Sequence, residues 1–333
     1  MRIGLTYDLK ADVKPDCTCS DDALEEYDSL ETIEALESVC KSNGHDVVRL
    51  GGGRAFLEKV LRERVDLVFN IAEGRGTYRS REAQVPSVLE MLNIPYCGSD
   101  PQCLAVSLDK PLTKSILASC GIATPEWKVV STVVELEAIN WHDFPYPAFV
   151  KPAYEGSSKG IRFASVIENA DQMLCVVGNV LADYKQPVIV EEFITGEEVT
   201  VGVLGNENPS IIGIMRVLPR KKKDHFIYSL EVKRDWENMV EYECPAKLGD
   251  ATNKRISEAA LKVFNILGCR DFSRVDFRVK QDGTPYFLEI NPLPGLNPKS
   301  GDIVIMSGKM GWTYKSLVSA ILAAAMKRYG FAS

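Results

Sequence analysis

The clearest chemical signal lies in the last quarter of the sequence, where two segments of alternating polar and apolar residues flank Asp282-Gly283. This dipeptide is typical of a two-residue hairpin turn. With the turn at the tip, Val275 lies opposite Ile290. Phe277 then lies opposite Leu288, so one face of the predicted hairpin is apolar on both strands, which supports the register.

The opposite face of the predicted hairpin carries the polar residues. The same register places Asp276 opposite Glu289, and Arg274 opposite Asn291. Directly opposed carboxylates lie about 5 Å apart at Cβ and repel each other. A divalent cation would offset the repulsion, with Asn291 as a third oxygen ligand, and Mg²⁺ fits such ligands better than zinc does. The alternative is a solvated polar face on which Arg274 and Arg278 neutralise the two acids.

A second candidate is a loop rich in glycine and serine. Lys151 ends an apolar segment, and the loop Glu155-Gly-Ser-Ser-Lys-Gly160 follows it. Backbone N–H and hydroxyl groups of such a loop can surround a phosphate, to which Lys151 adds a positive charge. A plain turn is the alternative. Similarly, Glu191 ends another apolar strand, and by itself it indicates no more than an exposed strand end.

Composition narrows the class of protein that these motifs serve. The 333 residues include 39 basic and 46 acidic side chains, a net charge of −7, which argues against binding to nucleic acid or to anionic membranes. No segment is apolar and long enough to span a bilayer, so we expect a soluble, cytoplasmic protein. The nine cysteines and three histidines do not cluster as zinc ligands. We interpret Cys17 and Cys19 as reduced thiols in a mobile surface loop.

The elements that position the motifs divide the chain into three parts. The first third alternates predicted strands and helices, which indicates a doubly wound parallel sheet whose ligands lie at the carboxyl ends of the strands, near Asp8 and Glu73. A mixed segment of strands and helices follows, and the last part is rich in strands. We place the boundaries so that the three predicted domains comprise residues 1–109, 110–190 and 191–333.

In this order, the motifs resemble those of the ATP-grasp superfamily, and within it the D-alanine–D-alanine ligases. The resemblance rests on Lys151, the 155–160 loop, Glu191, Arg274-x-Asp276 and Glu289-x-Asn291-x-x-Pro-Gly295, and it covers nearly the whole chain. It implies a fold of both α/β and α+β character. A doubly wound N-terminal domain would precede a small central α+β domain and a C-terminal domain with an antiparallel sheet.

The resemblance also implies an activity: ATP-dependent joining of a carboxylate to an amine through an acyl phosphate, acting on small amino-acid-like substrates. Asp276, Glu289 and Asn291 would hold Mg²⁺, or alternatively Mn²⁺, on the ATP phosphates. Arg274 and the N–H of Gly295 would stabilise the oxyanion. A homodimer is implied by the resemblance alone.

The residues that would bind ATP are Lys110, Lys151, Glu155, Gly156, Ser157, Ser158, Glu191, Ile194, Glu198 and Lys233. Within this set, the lysines would hold phosphates, and the serine loop would close over them. Glu191 and the backbone of Ile194 would contact adenine, and Glu198 the ribose. Ser157 also belongs to the implied catalytic group.

The implied substrate site contains Glu25 for the amino group of the first substrate and Ser300 for the carboxylate of the second. The longer loop in this region leaves Asp22 and Glu26 as alternatives to Glu25. The family's active-site histidine is replaced by Glu73, and a tyrosine of the family is replaced by Arg234.

Because these departures cluster where the amino acids should lie, we predict a ligase with altered substrates. The alternatives are an authentic D-alanine–D-alanine ligase of cell-wall precursor synthesis and a nucleotide-binding protein without turnover.

Overall fold

Three β-sheets organise the structure, a computed structural model that describes residues 1–13, 20–221 and 224–331. The Cys17 and Cys19 pair, for which a mobile loop was predicted, lies outside the described residues. Over the described ranges, no helix has the length and apolar character needed to cross a membrane.

The first sheet contains the strands β1 (Arg2–Thr6), β2 (Asp46–Arg49), β3 (Leu67–Asn70) and β4 (Tyr96–Cys97). Its strands are parallel and follow the order β2-β1-β3-β4. The strands are connected by the helices α1 (Leu30–Ser42), α2 (Gly53–Val60) and α3 (Gln84–Met91). The predicted parallel α/β sheet at the N-terminus is therefore confirmed.

Helix α1 shows how local sequence sets these elements. The Ser29 hydroxyl accepts a hydrogen bond from the backbone N–H of Thr32 at 3.4 Å, which caps the first turn. Ile33 and Leu36 recur at helical spacing and are buried against the sheet. The chain reverses at Gly44, whose φ of +82° is strained for any residue with a side chain.

Two helices then lead into the central part of the chain, α4 (Pro101–Leu108) and α5 (Lys110–Ser119). They meet at Asp109, as the sequence predicts. The Asp109 carboxylate accepts a hydrogen bond from the N–H of Leu112 at 3.1 Å and so caps α5. This bend directs Lys110 toward the interior, where its side chain is 6% exposed.

The central sheet is antiparallel, with helices packed against it. Its elements are β5 (Trp127–Val130), α6 (Val133–Ala138), β6 (Ala148–Pro152), β7 (Val166–Ile167), α7 (Ala170–Tyr184) and β8 (Val188–Glu192). The strand order is β5-β8-β6-β7. Because β6 and β8 are neighbours, Lys151 and Glu191 are brought to the same region of the sheet.

The C-terminal sheet is also antiparallel and has the order β11-β10-β9-β12-β13. The elements of this part are β9 (Glu197–Leu204), β10 (Ser210–Pro219), α8 (Leu230–Arg234), α9 (Trp236–Met239), β11 (Val240–Glu243), α10 (Asp250–Ile266), β12 (Phe272–Val279), β13 (Pro285–Asn291), α11 (Asp302–Lys309) and α12 (Tyr314–Arg328). The elements α8, α9, β11 and α11 were not predicted from the sequence; the first three comprise only 5, 4 and 4 residues.

The hairpin of β12 and β13 corrects part of the predicted register. Val275 pairs with Ile290, as predicted. Phe277 pairs with Phe287 and not with Leu288, because Leu288 is the extra residue of a β-bulge. The predicted pairing of Phe277 with Leu288 was therefore wrong.

The turn of this hairpin is also longer than predicted. The N–H of Lys280 donates to the carbonyl oxygen of Thr284 at 3.0 Å, which leaves residues 281–283 in the turn and makes a two-residue turn wrong. The longer turn and the bulge shift the pairing by one residue in opposite directions. Together they restore the predicted pairing of Asp276 with Glu289.

The hydrophobic cores connect parts of the chain that are distant in sequence. Leu317 and Ile321 of α12 pack in one core with Ile3 of β1, so the C-terminal helix covers the N-terminal sheet. Leu117 of α5 packs in the core of the C-terminal sheet. Strand β8 continues to Glu192, two residues beyond the boundary drawn at residue 190. The division into three domains remains a prediction.

Candidate active site

Two adjoining cavities contain nearly all the site residues singled out from the sequence; Asp8 and Asp22 are the exceptions. The first cavity, of about 790 Å³, lies between the central and C-terminal sheets. The second, of about 1540 Å³ with its mouth included, extends toward the N-terminal sheet. Both cavities are lined by Tyr228, Lys233, Arg274, Glu289 and Asp302. The predicted ATP and substrate regions therefore adjoin each other.

The predicted residues divide between the cavities. Those lining the first are Lys151, Ser158, Glu191, Ile194, Glu198, Lys233, Arg274, Asp276 and Glu289. Those lining the second are Glu25, Glu73, Lys110, Glu155, Gly156, Ser157, Lys233, Arg234, Arg274, Glu289, Asn291, Gly295 and Ser300. Asp8, expected near a ligand, lines neither cavity. Its carboxylate accepts from the N–H of Gly74 at 2.9 Å and binds Arg75 at 2.8 Å.

One end of the first cavity is apolar and suits a flat heterocycle. Phe149, Phe193 and Leu288 contribute to its walls. Leu288 is the extra residue of the β-bulge, and its side chain lines the cavity. Bulges commonly change the direction of a side chain in this way. The Arg278 guanidinium lies 4.4 Å from the centre of the Phe193 ring and binds Glu198 at 2.8 Å. The predicted ribose contact, Glu198, is thus held in place by an arginine.

Glu191 lies between two lysines at the base of the first cavity. Its carboxylate is 2.9 Å from the ammonium of Lys114 and 3.0 Å from that of Lys151. Burial alone would raise the pKa of Glu191, but the two ammonium groups hold it below its usual value. Burial lowers the pKa of Lys114 to about 8, although Glu191 opposes the shift. Glu191 was predicted to contact adenine, and this arrangement shows that it also orients two cations.

We expect Glu191→Gln to destabilise the fold by about 3–5 kcal/mol, since it leaves two buried ammonium groups without a counter-charge. Urea unfolding at pH 7 measures this. Glu192→Gln is the matched control, because the neighbouring carboxylate forms no ion pair with any described residue. Equal unfolding midpoints for the two variants would contradict the expectation.

The glycine- and serine-rich loop approaches the point where the cavities meet. Ser157 and Ser158 have φ of +49° and +60°, conformations that are uncommon for residues with a side chain and often occur at functional sites. At Gly160 a Cβ atom would lie 2.4 Å from the ring of Pro152, so only glycine fits there. The loop therefore has a conformation imposed by its surroundings.

Carboxylates of an N-terminal segment bind the backbone of this loop. Glu26 accepts from the N–H of Gly156 at 2.5 Å, and Asp22 accepts from the N–H of Gly160 at 2.9 Å. Glu26 also binds Arg81 at 2.6 Å. Burial alone would raise the pKa of Glu26, but Arg81 and other cations lower it to about 2. Two N–H groups predicted to surround a phosphate are thus hydrogen-bonded to carboxylates.

The hairpin brings the predicted metal ligands together. The Asn291 amide nitrogen lies 3.4 Å from Asp276 Oδ2 and 3.5 Å from Glu289 Oε1. Burial raises the pKa of Asp276, and Arg274 opposes that shift. Burial would also raise the pKa of Glu289, but Lys110 and other cations lower it to about 2. The two carboxylates fit Mg²⁺, whose ligands are oxygen atoms, and Asn291 adds a third oxygen ligand only when its amide group turns over, since its nitrogen now faces the acids.

Arg274 holds the acids of this site in place. Its guanidinium binds Asp276 at 2.8 Å and Asp302 at 3.1 Å, and it lies 3.7 Å from Glu289. The alternative from the sequence, in which Arg274 and Arg278 both neutralise the hairpin acids, is wrong for Arg278, which binds Glu198 on β9.

Substrate residues in the second cavity are partly bound to one another. Arg234 binds Glu25 at 2.7 Å, and the Ser300 hydroxyl donates to Asn297 at 3.1 Å. A Cβ added to Gly295 would meet no atom within 4 Å, so its backbone is open to the cavity. Among the three acids considered for the substrate amine, Glu25 and Glu26 line this cavity. The choice among them remains a prediction.

Several residues in or beside the site were not predicted from the sequence. They are Glu82, Arg81, Lys114, Tyr228 and Asp302. Lys114 had a local signal, since it follows Lys110 by four residues and so lies on the same face of α5. Arg81 and Glu82 had none, because their partners are remote in sequence.

We expect the ligand-free protein to be most stable near pH 5, close to the pKa of an unfolded glutamate. The pKa values of Glu26 and Glu289 are lowered, so their stabilisation is present above the unfolded pKa and is lost as pH falls toward 2. Burial raises the pKa of Glu82 and Asp28 to about 7. The folded state then binds more protons between pH 5 and 7, and stability decreases as pH rises. Urea midpoints across pH measure both slopes.

The variant Glu82→Gln serves as the control for the alkaline slope. Because it removes one group whose pKa is raised by burial, the decrease in stability above pH 5 should become shallower. A midpoint that increases steadily from pH 5 to pH 8 in the unmodified protein would contradict the expectation.

Comparison with known proteins gives a consistent result. Residues 116–323 match a family model described as the C-terminus of D-ala D-ala ligase. The D-alanine–D-alanine ligase of Aquifex aeolicus is 34% identical over 295 residues, which make up 88% of this chain and 94% of that protein.

Solved structures share the fold. A D-alanine–D-alanine ligase of Bacillus anthracis, solved in complex with ATP, superposes with a TM-score of 0.75 over 99% of both chains at 22% identity. The VanG D-Ala:D-Ser ligase of Enterococcus faecalis has a TM-score of 0.71 at 21% identity and covers 97% of this chain and 99% of its own. The ATP-grasp architecture expected from the sequence is confirmed.

Proposed function

The chain belongs to the D-alanine–D-alanine ligase family of ATP-dependent carbon–nitrogen ligases, and from this we propose that it joins two amino-acid-like substrates other than a pair of D-alanines, using ATP and Mg²⁺. The observation that supports this most directly is the placement of Arg274, Glu289 and Lys233 on the walls of both cavities. A carboxylate bound there can reach a phosphate held in the neighbouring cavity.

The reaction has two steps. A carboxylate oxygen of the first substrate attacks the γ-phosphorus of ATP, and ADP leaves. The amine of the second substrate then attacks the carbonyl carbon of the acyl phosphate, phosphate leaves, and the amine loses a proton. Most of the catalysis in such transfers is positioning and electrostatic stabilisation.

Specific residues have distinct tasks in this proposal. Lys110, Lys151 and Lys233 bind phosphate oxygens, and the apolar end of the first cavity binds adenine. Asp276, Glu289 and Asn291 would hold Mg²⁺, which would neutralise charge on the phosphates; Mn²⁺ has the same ligand preferences. Arg274 and the N–H of Gly295 stabilise the oxyanion at the carbonyl carbon.

The altered substrates are proposed because Glu73 and Arg234 both line the second cavity. Two alanines offer no side-chain group for these charges. The alternative is an authentic D-alanine–D-alanine ligase, and a protein that binds ATP without turnover is the second alternative. We also propose a homodimer and a cytoplasmic location, for which family membership is the support.

Release of phosphate and ADP from Mg·ATP tests the function. The panel contains D- and L-amino acids, singly and in pairs, with Asp276→Asn and Arg274→Ala as controls of low activity at limiting Mg²⁺. Turnover that requires a specific pair and is strongly reduced in both variants is the expected result. Rapid turnover with D-alanine alone would contradict the altered substrates, whereas ATP binding without phosphate release on the whole panel would contradict the ligase.

A further inference from the structure

Three carboxylates on the N-terminal side of the second cavity have no cation bound to them. Glu73 follows β3, Glu82 lies in the helical turn Arg81–Ala83, and Asp28 precedes α1; all three line the cavity. Within the part of the chain that the structure describes, neither an ion pair nor a hydrogen bond reaches the carboxylate of Glu73 or Glu82. Asp28 has a hydrogen bond with Thr32.

Glu82 is the most informative of the three. The residue is 8% exposed, and its side chain lines the cavity. A buried carboxylate is normally paired or hydrogen-bonded, because burial without a partner is costly. Burial raises the pKa of Glu82 to about 7, and burial together with Glu82 raises that of Glu73. The nearby charge of Arg81 opposes both shifts without reversing them, so the cavity holds two acids that no cation of the described residues contacts directly.

The cations nearest to these acids are already engaged. Arg81 binds Glu26 at 2.6 Å and lies 3.3 Å from Glu155. The Lys110 ammonium donates to the backbone carbonyl of Glu155 and lies 3.9 Å from Glu289. The side chain of Lys10 is 45% exposed and is therefore partly solvated. Among the described residues, no cation is left to bind Glu73 or Glu82 directly, and a cationic ligand in the cavity would supply that partner.

We infer that the second cavity takes an amino acid whose side chain carries its own ammonium or guanidinium group, bound by Glu73 and Glu82. An α-ammonium group can bind only one of these two acids closely, so a second cationic group on the side chain would bind the other. The inference deepens the proposed function and rests on it, since it assumes that this cavity is the substrate site.

Binding of isosteric amino acids tests the charge requirement. The full chain is loaded with Mg²⁺ and a non-hydrolysable ATP analogue, and D- and L-lysine are titrated calorimetrically against D- and L-norleucine. Arginine is compared in the same way with citrulline. We expect the cationic member of at least one pair to bind about tenfold more tightly or better.

Matched variants locate the effect. Glu82→Gln and Glu73→Gln keep the shape of each side chain and remove its charge, and each should reduce the preference for the cationic member by about tenfold. Glu58→Gln is the control, since Glu58 is on the outer face of α2, where its side chain is 55% exposed. Urea midpoints confirm that the variants fold. Phosphate release is recorded on the same preparations.

The outcomes separate the inference from the proposed function. Equal binding of isosteres, or a preference that both glutamine variants retain, overturns the inference, even if neutral amino acids are ligated and the ligase stands. Charge-dependent binding that both variants weaken supports it. If the cationic amino acid binds in this way but no pair of amino acids leads to phosphate release from ATP, the ligase proposal fails. The assignment of the second cavity to a cationic amino acid then still stands.

Discussion

Replacing Arg274 by alanine is expected to lower the rate of phosphate release by about 10²–10³-fold. Its guanidinium binds Asp276 and Asp302 and lies 3.7 Å from Glu289, on a wall shared by both cavities. Loss of the guanidinium removes the group that we propose to face the developing oxyanion. It also removes the cation that offsets the mutual repulsion of Asp276, Glu289 and Asp302. Steady-state release of phosphate, normalised to the folded fraction, measures the effect.

The control for this experiment is Arg216→Ala. Arg216 also binds two carboxylates of the C-terminal sheet, Glu197 and Glu243, each at 2.9 Å, but it lines neither cavity. We expect it to change stability slightly and turnover little. If Arg274→Ala and Arg216→Ala reduced the rate equally, a purely structural role of Arg274 would explain the result. Binding of ATP should persist in both variants.

Replacing Asp276 by asparagine is expected to raise the Mg²⁺ concentration for half-maximal activity by about tenfold or more. The change removes one of the two carboxylates of the predicted metal site, and with it part of the charge that attracts the cation. The Thr200 hydroxyl donates a hydrogen bond to Asp276 Oδ1 at 2.6 Å. In the variant, this hydroxyl would face a neutral amide instead of a carboxylate. Titration with Mg²⁺ at saturating ATP measures the shift.

Asp282→Asn is the matched control, because Asp282 lies in the exposed turn of the same hairpin. Its Mg²⁺ requirement should equal that of the unmodified protein. A normal Mg²⁺ titration for Asp276→Asn would mean that the hairpin acids do not hold the metal ion. With Mn²⁺ in place of Mg²⁺, Asp276→Asn should again need a higher metal concentration than Asp282→Asn, since Mn²⁺ prefers similar ligands.

The hairpin of β12 and β13 shows how much of a local structure the residue pattern predicts. Alternation of apolar and polar residues predicted two strands and their two faces, and Asp276 does pair with Glu289. The turn length and the bulge at Leu288 were missed, because a bulge depends on how the strand packs and not on its alternation. The prediction of the acidic pair was correct because the two errors cancelled.

Charge partners could not be predicted in the same way. Arg81 and Glu26 are 55 residues apart, and Arg234 and Glu25 are 209 residues apart. Periodicity describes neighbours along a strand or helix, whereas these contacts arise when separate sheets come together. The sequence therefore indicated that Glu25 and Arg234 belong to the site, but not that they bind each other.

By itself, the sequence determined most of the succession of elements, the family pattern and many of the residues around the cavities, since these depend on residue type and short-range spacing. The tertiary structure alone decided which acids are neutralised. Glu191 lies between two lysines, Glu26 binds a loop and an arginine, and Glu82 faces a cavity with no cation of the described residues in direct contact. Electrostatic energy depends on distance and burial, and both are set when the three sheets pack together.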